Sequence, residues 1–145
     1  MYHMSLFKEC TNTNQQGAVG ESIAELFFRC AGYEVARMGS HAPYDMIVCK
    51  GNENFRIQVK TTRNRNGEKG NYTVFLRTNY GHGDRTKFKT IDAESVQKVF
   101  VVTEHGACYL FPVEYVAGKN CITLNAACAP YFVSNVNVNL SGWGL

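Results

Sequence analysis

Tyr44-Asp45-Met46-Ile47-Val48-Cys49-Lys50, then Gly51-Asn52-Glu53-Asn54, then Phe55-Arg56-Ile57-Gln58-Val59-Lys60-Thr61-Thr62 is the stretch from which the fold is read. Two runs rich in β-branched and aromatic residues flank a short polar turn, the pattern of adjacent antiparallel strands. Side chains alternate along a strand, so Gln58 and Lys60 share one face while Ile57 and Val59 share the other. With Lys50 facing Phe55, Asp45 falls opposite Lys60 and one diagonal step from Gln58. An acid, an amide oxygen and an ammonium then meet on one face. Such a set can hold a divalent ion against a phosphate and orient a water. A slip of one residue in register would dissolve it.

Upstream, Thr13-Asn14-Gln15-Gln16 matches a capping box with Thr13 as N-cap, and a helix is expected to follow. Val19, Ile23, Leu26, Phe27 and Cys30 recur at helical spacing as its core stripe, and Gly32 is placed to end it. Glu21 lies on the flank with Gly17, Ala24 and Phe28, where small residues let another surface come close. Tyr33–Arg37 reads as the strand before the central pair, and Asn71–Thr78 as a fourth strand after it, with Tyr72, Val74 and Leu76 on one face. Two polar, basic loops, 63–70 and 79–90, flank that fourth strand. Asp92–Val96 is expected as a helical turn, Lys98–Thr103 and Ala107–Phe111 as a hairpin, and Cys121–Leu124 as a short strand. A helix, three or four strands and a mixed end argue for an α+β fold with a mixed sheet.

At 145 residues the chain is expected to be one domain, large enough to bury a core without staples. No run approaches the roughly 18 apolar residues that span a bilayer, and Met1–Gln16 lacks the order of a signal peptide. The six cysteines form no C-x-x-C pair, which points away from zinc and toward a reducing compartment. The net charge of +3 is unevenly spread. Lys50–Lys89 holds ten basic and three acidic residues, +7, against five and nine, −4, elsewhere. Positive charge gathered in one segment fits a polyanion. Arg63, Arg65, Lys69, Arg77, Arg85 and Lys87 are the expected phosphate contacts.

In the order Gly17-Ala18-Val19-Gly20-Glu21, Gly32-Tyr33-Glu34-Val35, Pro43-Tyr44-Asp45 and Gln58-Val59-Lys60-Thr61-Thr62, the chain resembles the PD-(D/E)XK nuclease superfamily. Within it the chain is most similar to the small endonucleases encoded in group I introns. The resemblance spans about residues 15–125. It implies a restriction-endonuclease-like core, a mixed β-sheet with an N-terminal helix packed on it. Residues 126–145 are left as an edge strand or an oligomer contact. By the same resemblance Asp45 matches the motif Asp, Lys60 its Lys, and Glu21 the helical Glu of many members. Gln58 stands where most members carry an acid, a departure that some intron-encoded members share.

The resemblance further implies a catalytic set of Glu21, Asp45, Gln58 and Lys60. Asp45, Gln58, the Val59 carbonyl and Glu21 would be the ligands for Mg2+, with Mn2+ able to replace it. The implied activity is site-specific cleavage of double-stranded DNA of the homing type, by a homo-oligomer (dimer or tetramer) in the cytoplasm of a bacterial or phage-infected cell. Two other readings stay open. A junction-resolving nuclease would share the motif, and Gln58 permits a DNA-binding module of nuclease fold that does not cleave.

Overall fold

The computed structural model describes residues 4–80 and 87–140. Helix α1 (Thr13–Cys30) leads into β1 (Glu34–Arg37), β2 (Met46–Lys50) and β3 (Glu53–Thr62). Then come β4 (Thr73–Phe75), β5 (Thr78–Tyr80), β6 (Lys87–Lys89), β7 (Lys98–Thr103) and β8 (Ala107–Pro112). A helical turn α2 (Val113–Val116), β9 (Cys121–Thr123), a 3-10 helix (Ala126–Tyr131) and β10 (Phe132–Asn135) complete the order. The main sheet is six-stranded, ordered β1-β2-β3-β7-β8-β10. It is mixed because β3 and β7 run parallel, Ile57 beside Lys98 through Thr62 beside Thr103, while the other pairs are antiparallel.

Strand β7 explains the two-sided core. Phe100 and Val102 pack with Ile23, Ala24 and Phe28 of α1 and with Met46, Val48 and Ile57. Val99 and Val101 face the opposite way, among Val74, Leu76, Ile122 and Phe111. A strand covered on both faces reads as a continuous apolar run, which Val99-Phe100-Val101-Val102 is. A parallel pair needs a long crossover, usually helical. Here the crossover from β3 to β7 carries β4, which pairs with β9, and β5, which pairs with β6.

Local chemistry sets the ends of α1, one residue away from the expected cap. Asn12, not Thr13, is the N-cap: its side chain accepts from the Gln15 N–H (2.9 Å), and Gln15 reaches back to the Thr11 N–H (2.7 Å). Gly32 ends the helix as expected, at φ 90°. Its N–H bonds the Arg29 carbonyl and the Tyr33 N–H bonds the Phe28 carbonyl, a Schellman closure that a residue with a Cβ would strain.

The buried face of α1 departs from the expected stripe. Gly20, Ile23, Ala24 and Phe28 are buried, while Leu26 is 57% exposed and Cys30 is exposed. The helix comes down on its small residues. A Cβ at Gly20 would lie 2.3 Å from the Thr61 methyl, and Thr61 is held there by the Gln16 amide on its hydroxyl (2.9 Å). Gly→Ala in a helix interior normally stabilises by about 0.5–1 kcal/mol. At Gly20 the sign is expected to reverse, costing about 1–3 kcal/mol through overpacking. Adding Thr61→Ser, which removes the clashing methyl and keeps the hydroxyl, is expected to restore most of the loss in urea denaturation. A Gly20→Ala protein as stable as the parent would mean the helix floats free of β3.

Two further expectations are corrected. The turn between β2 and β3 is two residues, not four: Lys50 pairs with Glu53, and only Gly51 takes positive φ (59°). A glycine at the first of two central positions is the type II′ preference. The 79–90 segment, expected as a loop, contributes β5 and β6. Within the 126–145 tail, expected as an edge strand or an oligomer contact, Phe132–Asn135 forms the edge strand beside β8.

Candidate active site

The two-residue turn moves the register by two positions, which keeps every side chain on its expected face and changes who meets whom. The ladder pairs Met46 with Ile57. Extended one step, it sets Asp45 against Gln58, with Lys60 diagonal, the reverse of the expected order. The Asp45 N–H donates to the Ile57 carbonyl (2.9 Å), one residue off that ladder. This is a bulge-type irregularity, the device that re-aims a side chain where pairing ends. Beyond it β3 has lost its neighbour, and the Asp45 carboxylate accepts the Val59 N–H that β2 no longer reaches (2.7 Å). In a strand the N–H and carbonyl of one residue point the same way, so the Val59 carbonyl turns to the same edge.

Gln58 lines a cavity of about 180 Å³ with Pro43, Thr78, Lys89 and Asp92. Lys60 lines a groove of about 550 Å³ with Gln16, Gly17, Arg77 and Thr78. Thr78 borders both depressions. Glu21, on α1, pairs with Arg37 of β1 (3.7 Å), which also binds Glu25 (3.1 Å).

Charge couples these groups through space. Burial pushes the Asp45 carboxyl above the usual carboxylate range, against the Val59 N–H, Lys60 and Arg37, which favour its ionised form. Burial pushes the Lys60 ammonium down, against the charge of Asp45. Glu21 is raised by burial and then by Asp45, with Arg37 opposing. Displaced groups coupled in this way make the region the candidate site.

The Asp45 shift carries a stability consequence. A carboxyl raised in the folded state contributes stability below its unfolded pKa and loses it as pH rises through the folded one. At neutral pH the ionised form is therefore a burden on the fold. Asp45→Asn, whose amide oxygen can still accept from Val59, is expected to melt above the parent at pH 7. The gap is expected to close as the pH falls below about 4. Equal melting curves at pH 7 would show that the carboxylate is not held at a cost.

The oxygen donors suit a hard divalent cation. Glu21 and Asp45 repel each other across a gap that a cation would neutralise. Among the described residues no three of His, Cys, Asp and Glu converge. A metal here would have to draw its remaining protein ligands from the Gln58 amide and the Val59 carbonyl.

The basic residues divide by present employment. Arg63 donates to the Phe7 carbonyl (2.7 Å) and to Gln16 (3.2 Å), fastening the N-terminal segment to the end of β3. Arg65 lies over the Tyr72 ring (5.2 Å) and Arg77 over Phe88 (4.0 Å). Lys69 and Lys87 are exposed. Arg85 lies outside the described residues. The sequence reading gives Arg37 no role, and Gln16 only that of a capping residue. Arg37 lies just past the Gly32-Tyr33-Glu34-Val35 segment of the resemblance, and only tertiary folding brings it to Glu21.

The PD-(D/E)XK endonuclease family model matches residues 11–129 of the sequence. A structure of similar fold is the bacterial homing endonuclease I-Ssp6803I. The TM-score is 0.73 at 18% identity, over 83% of this chain and 88% of that one. At that identity the likeness speaks for the fold. A comparison with curated protein sequences gives no match. No helix among the described residues is long and apolar enough to cross a membrane.

Proposed function

Because the chain belongs to the PD-(D/E)XK endonuclease family, we propose that it is a site-specific, Mg2+-dependent endonuclease of the homing type that cuts double-stranded DNA. The observation that supports this is the coupling of the Asp45 carboxylate, held on the Val59 N–H where β2 and β3 part, to the charges of Lys60 on β3 and Glu21 on α1. The homing endonuclease of similar fold supports the same reading.

A phosphodiester repels nucleophiles by its charge, so the site must neutralise phosphate and position water. Bound here, a divalent ion supplies Lewis-acid polarisation and a more acidic water. Asp45 would be its main ligand, with Gln58 and the Val59 carbonyl completing the protein side. Glu21 holds a water or accepts its proton. Lys60, its ammonium destabilised by burial, orients the attacking water and stabilises charge building on the phosphoryl oxygens. One such centre cuts one strand, so a homo-oligomer, dimer or tetramer, is needed to break a duplex.

The test is cleavage of a random duplex library and of a synthetic four-way junction, each with and without magnesium. A consensus site in the library products, seen only with magnesium, is expected. Cutting of junctions regardless of sequence would make the protein a resolving enzyme, and no cutting of either would make it a binding module. The Gln58 assignment is tested separately. Gln58→Glu adds a negative ligand, and calcium titrated calorimetrically is expected to bind on the order of tenfold tighter. An unchanged affinity would place Gln58 outside the metal shell.

A further inference from the structure

We propose that the β5–β6 ribbon enters the major groove of the duplex beside the scissile phosphate. Arg77 and Phe88 would there meet base edges, and Lys87 and Lys89 the backbone. This rests on the endonuclease reading above. The ribbon is a two-stranded sheet of its own, paired Thr78 with Lys89 and Tyr80 with Lys87, and is not hydrogen-bonded into the six-stranded sheet. Its place relative to the chemistry is set by Thr78, which borders both the Gln58 cavity and the Lys60 groove. A phosphate over those two side chains would therefore put its neighbouring nucleotides against the ribbon.

The ribbon's surface suits that neighbour. Lys87, Phe88 and Lys89 are all exposed, as are Arg77 and Thr78 at its foot. Phe88 is 55% exposed and Phe75, just before the ribbon, 56%. Two exposed phenyl rings within the most basic segment of the chain serve no core. Lys87 and Lys89, two residues apart on one strand, share a face about 7 Å apart. Phe88 points to the other face and carries the Arg77 guanidinium at 4.0 Å from its ring centroid. Two strands about 4.8 Å apart, with their side chains, match a major groove about 12 Å wide and exceed a minor groove of about 6 Å. In the major groove guanine offers N7 and O6 to a guanidinium, and thymine offers a methyl to an apolar ring.

The experiment starts from the site that the parent selects from a random duplex library with magnesium. That duplex, premethylated by dimethyl sulfate, is then bound with calcium in place of magnesium. Methyl groups on guanine N7, in the major groove, are expected to block binding near the cut. Phe88→Ala and Arg77→Gln are each expected to lower the ratio of cutting at the selected site to cutting at a shuffled site by about tenfold or more. Lys87→Gln with Lys89→Gln is expected to flatten the log–log salt dependence of binding by about two units. Interference at adenine N3 alone would put the protein in the minor groove and overturn the proposal. So would an unchanged ratio in both the Phe88 and Arg77 variants, with parental circular dichroism. A parent that cuts nothing with magnesium would remove the endonuclease reading first, and the ribbon's role with it.

Discussion

Asp45→Ala and Lys60→Ala are each expected to slow DNA cleavage by about a hundred- to a thousandfold or more, while duplex binding in calcium stays within a few-fold of the parent. The size follows from the work assigned to each group. Losing a preorganised charge that acts on the transferring phosphoryl group costs several kcal/mol of barrier. Both side chains lie at the parted ends of β2 and β3, where they would serve the chemistry, while the exposed Lys69, Lys87 and Lys89 would hold the backbone. Alanine at position 45 also orphans the Val59 N–H, which the carboxylate now satisfies. Asp45→Asn separates the two effects, since it can keep that bond and remove the charge. It is expected to be as inactive as the alanine variant, yet more stable than the parent at neutral pH. Single-turnover cleavage at saturating enzyme and gel retardation measure the two arms. Near-normal cleavage by the Asp45 or Lys60 alanine variant would sink the active-site assignment.

Phe7→Ala is expected to cost about 3–5 kcal/mol in urea denaturation, the usual range for truncating a buried phenylalanine. Phe7 is fully buried, although it precedes the first helix and belongs to no strand. Its ring packs in the same core as Phe28, Phe100 and Val102. The backbone around it is tied down at three points. The Leu6 N–H bonds the Glu104 carbonyl (2.7 Å), the Ser5 hydroxyl bonds the Glu104 carboxylate (3.1 Å), and Arg63 bonds the Phe7 carbonyl. Because Arg63 follows directly on β3, loosening Phe7 is expected to loosen the strand end that carries Lys60. A drop in cutting larger than global unfolding explains, at a temperature where the variant is still folded, is the functional signature. A loss below about 1 kcal/mol would mean the segment is only draped on the core. The same tie bears on salt-dependence experiments: an Arg63 variant is expected to lose stability as well as charge.

What the sequence determined by itself is local or periodic. The extended runs Tyr44–Lys50 and Phe55–Thr62 assigned the central strands, and alternation assigned the faces of Gln58 and Lys60, because a period of two survives any even shift in register. Gly32 ended the helix because a left-handed position is cheap only for glycine. The order of Glu21, Asp45, Gln58 and Lys60 carried the family, since spacing along the chain is what a motif records. The tertiary structure decided whatever depends on distance between remote residues. Gly51 alone at positive φ chose a two-residue turn and moved the β2–β3 register by two positions, and the break at Asp45 put its carboxylate on the Val59 N–H. The contact of Gly20 with Thr61, some forty positions away, turned α1 onto its small residues and left Leu26 in solvent. Arg37 reached Glu21, Phe7 reached the core and Thr78 came to border the site, because packing and charge act through space, and no local pattern marks which remote residues will meet.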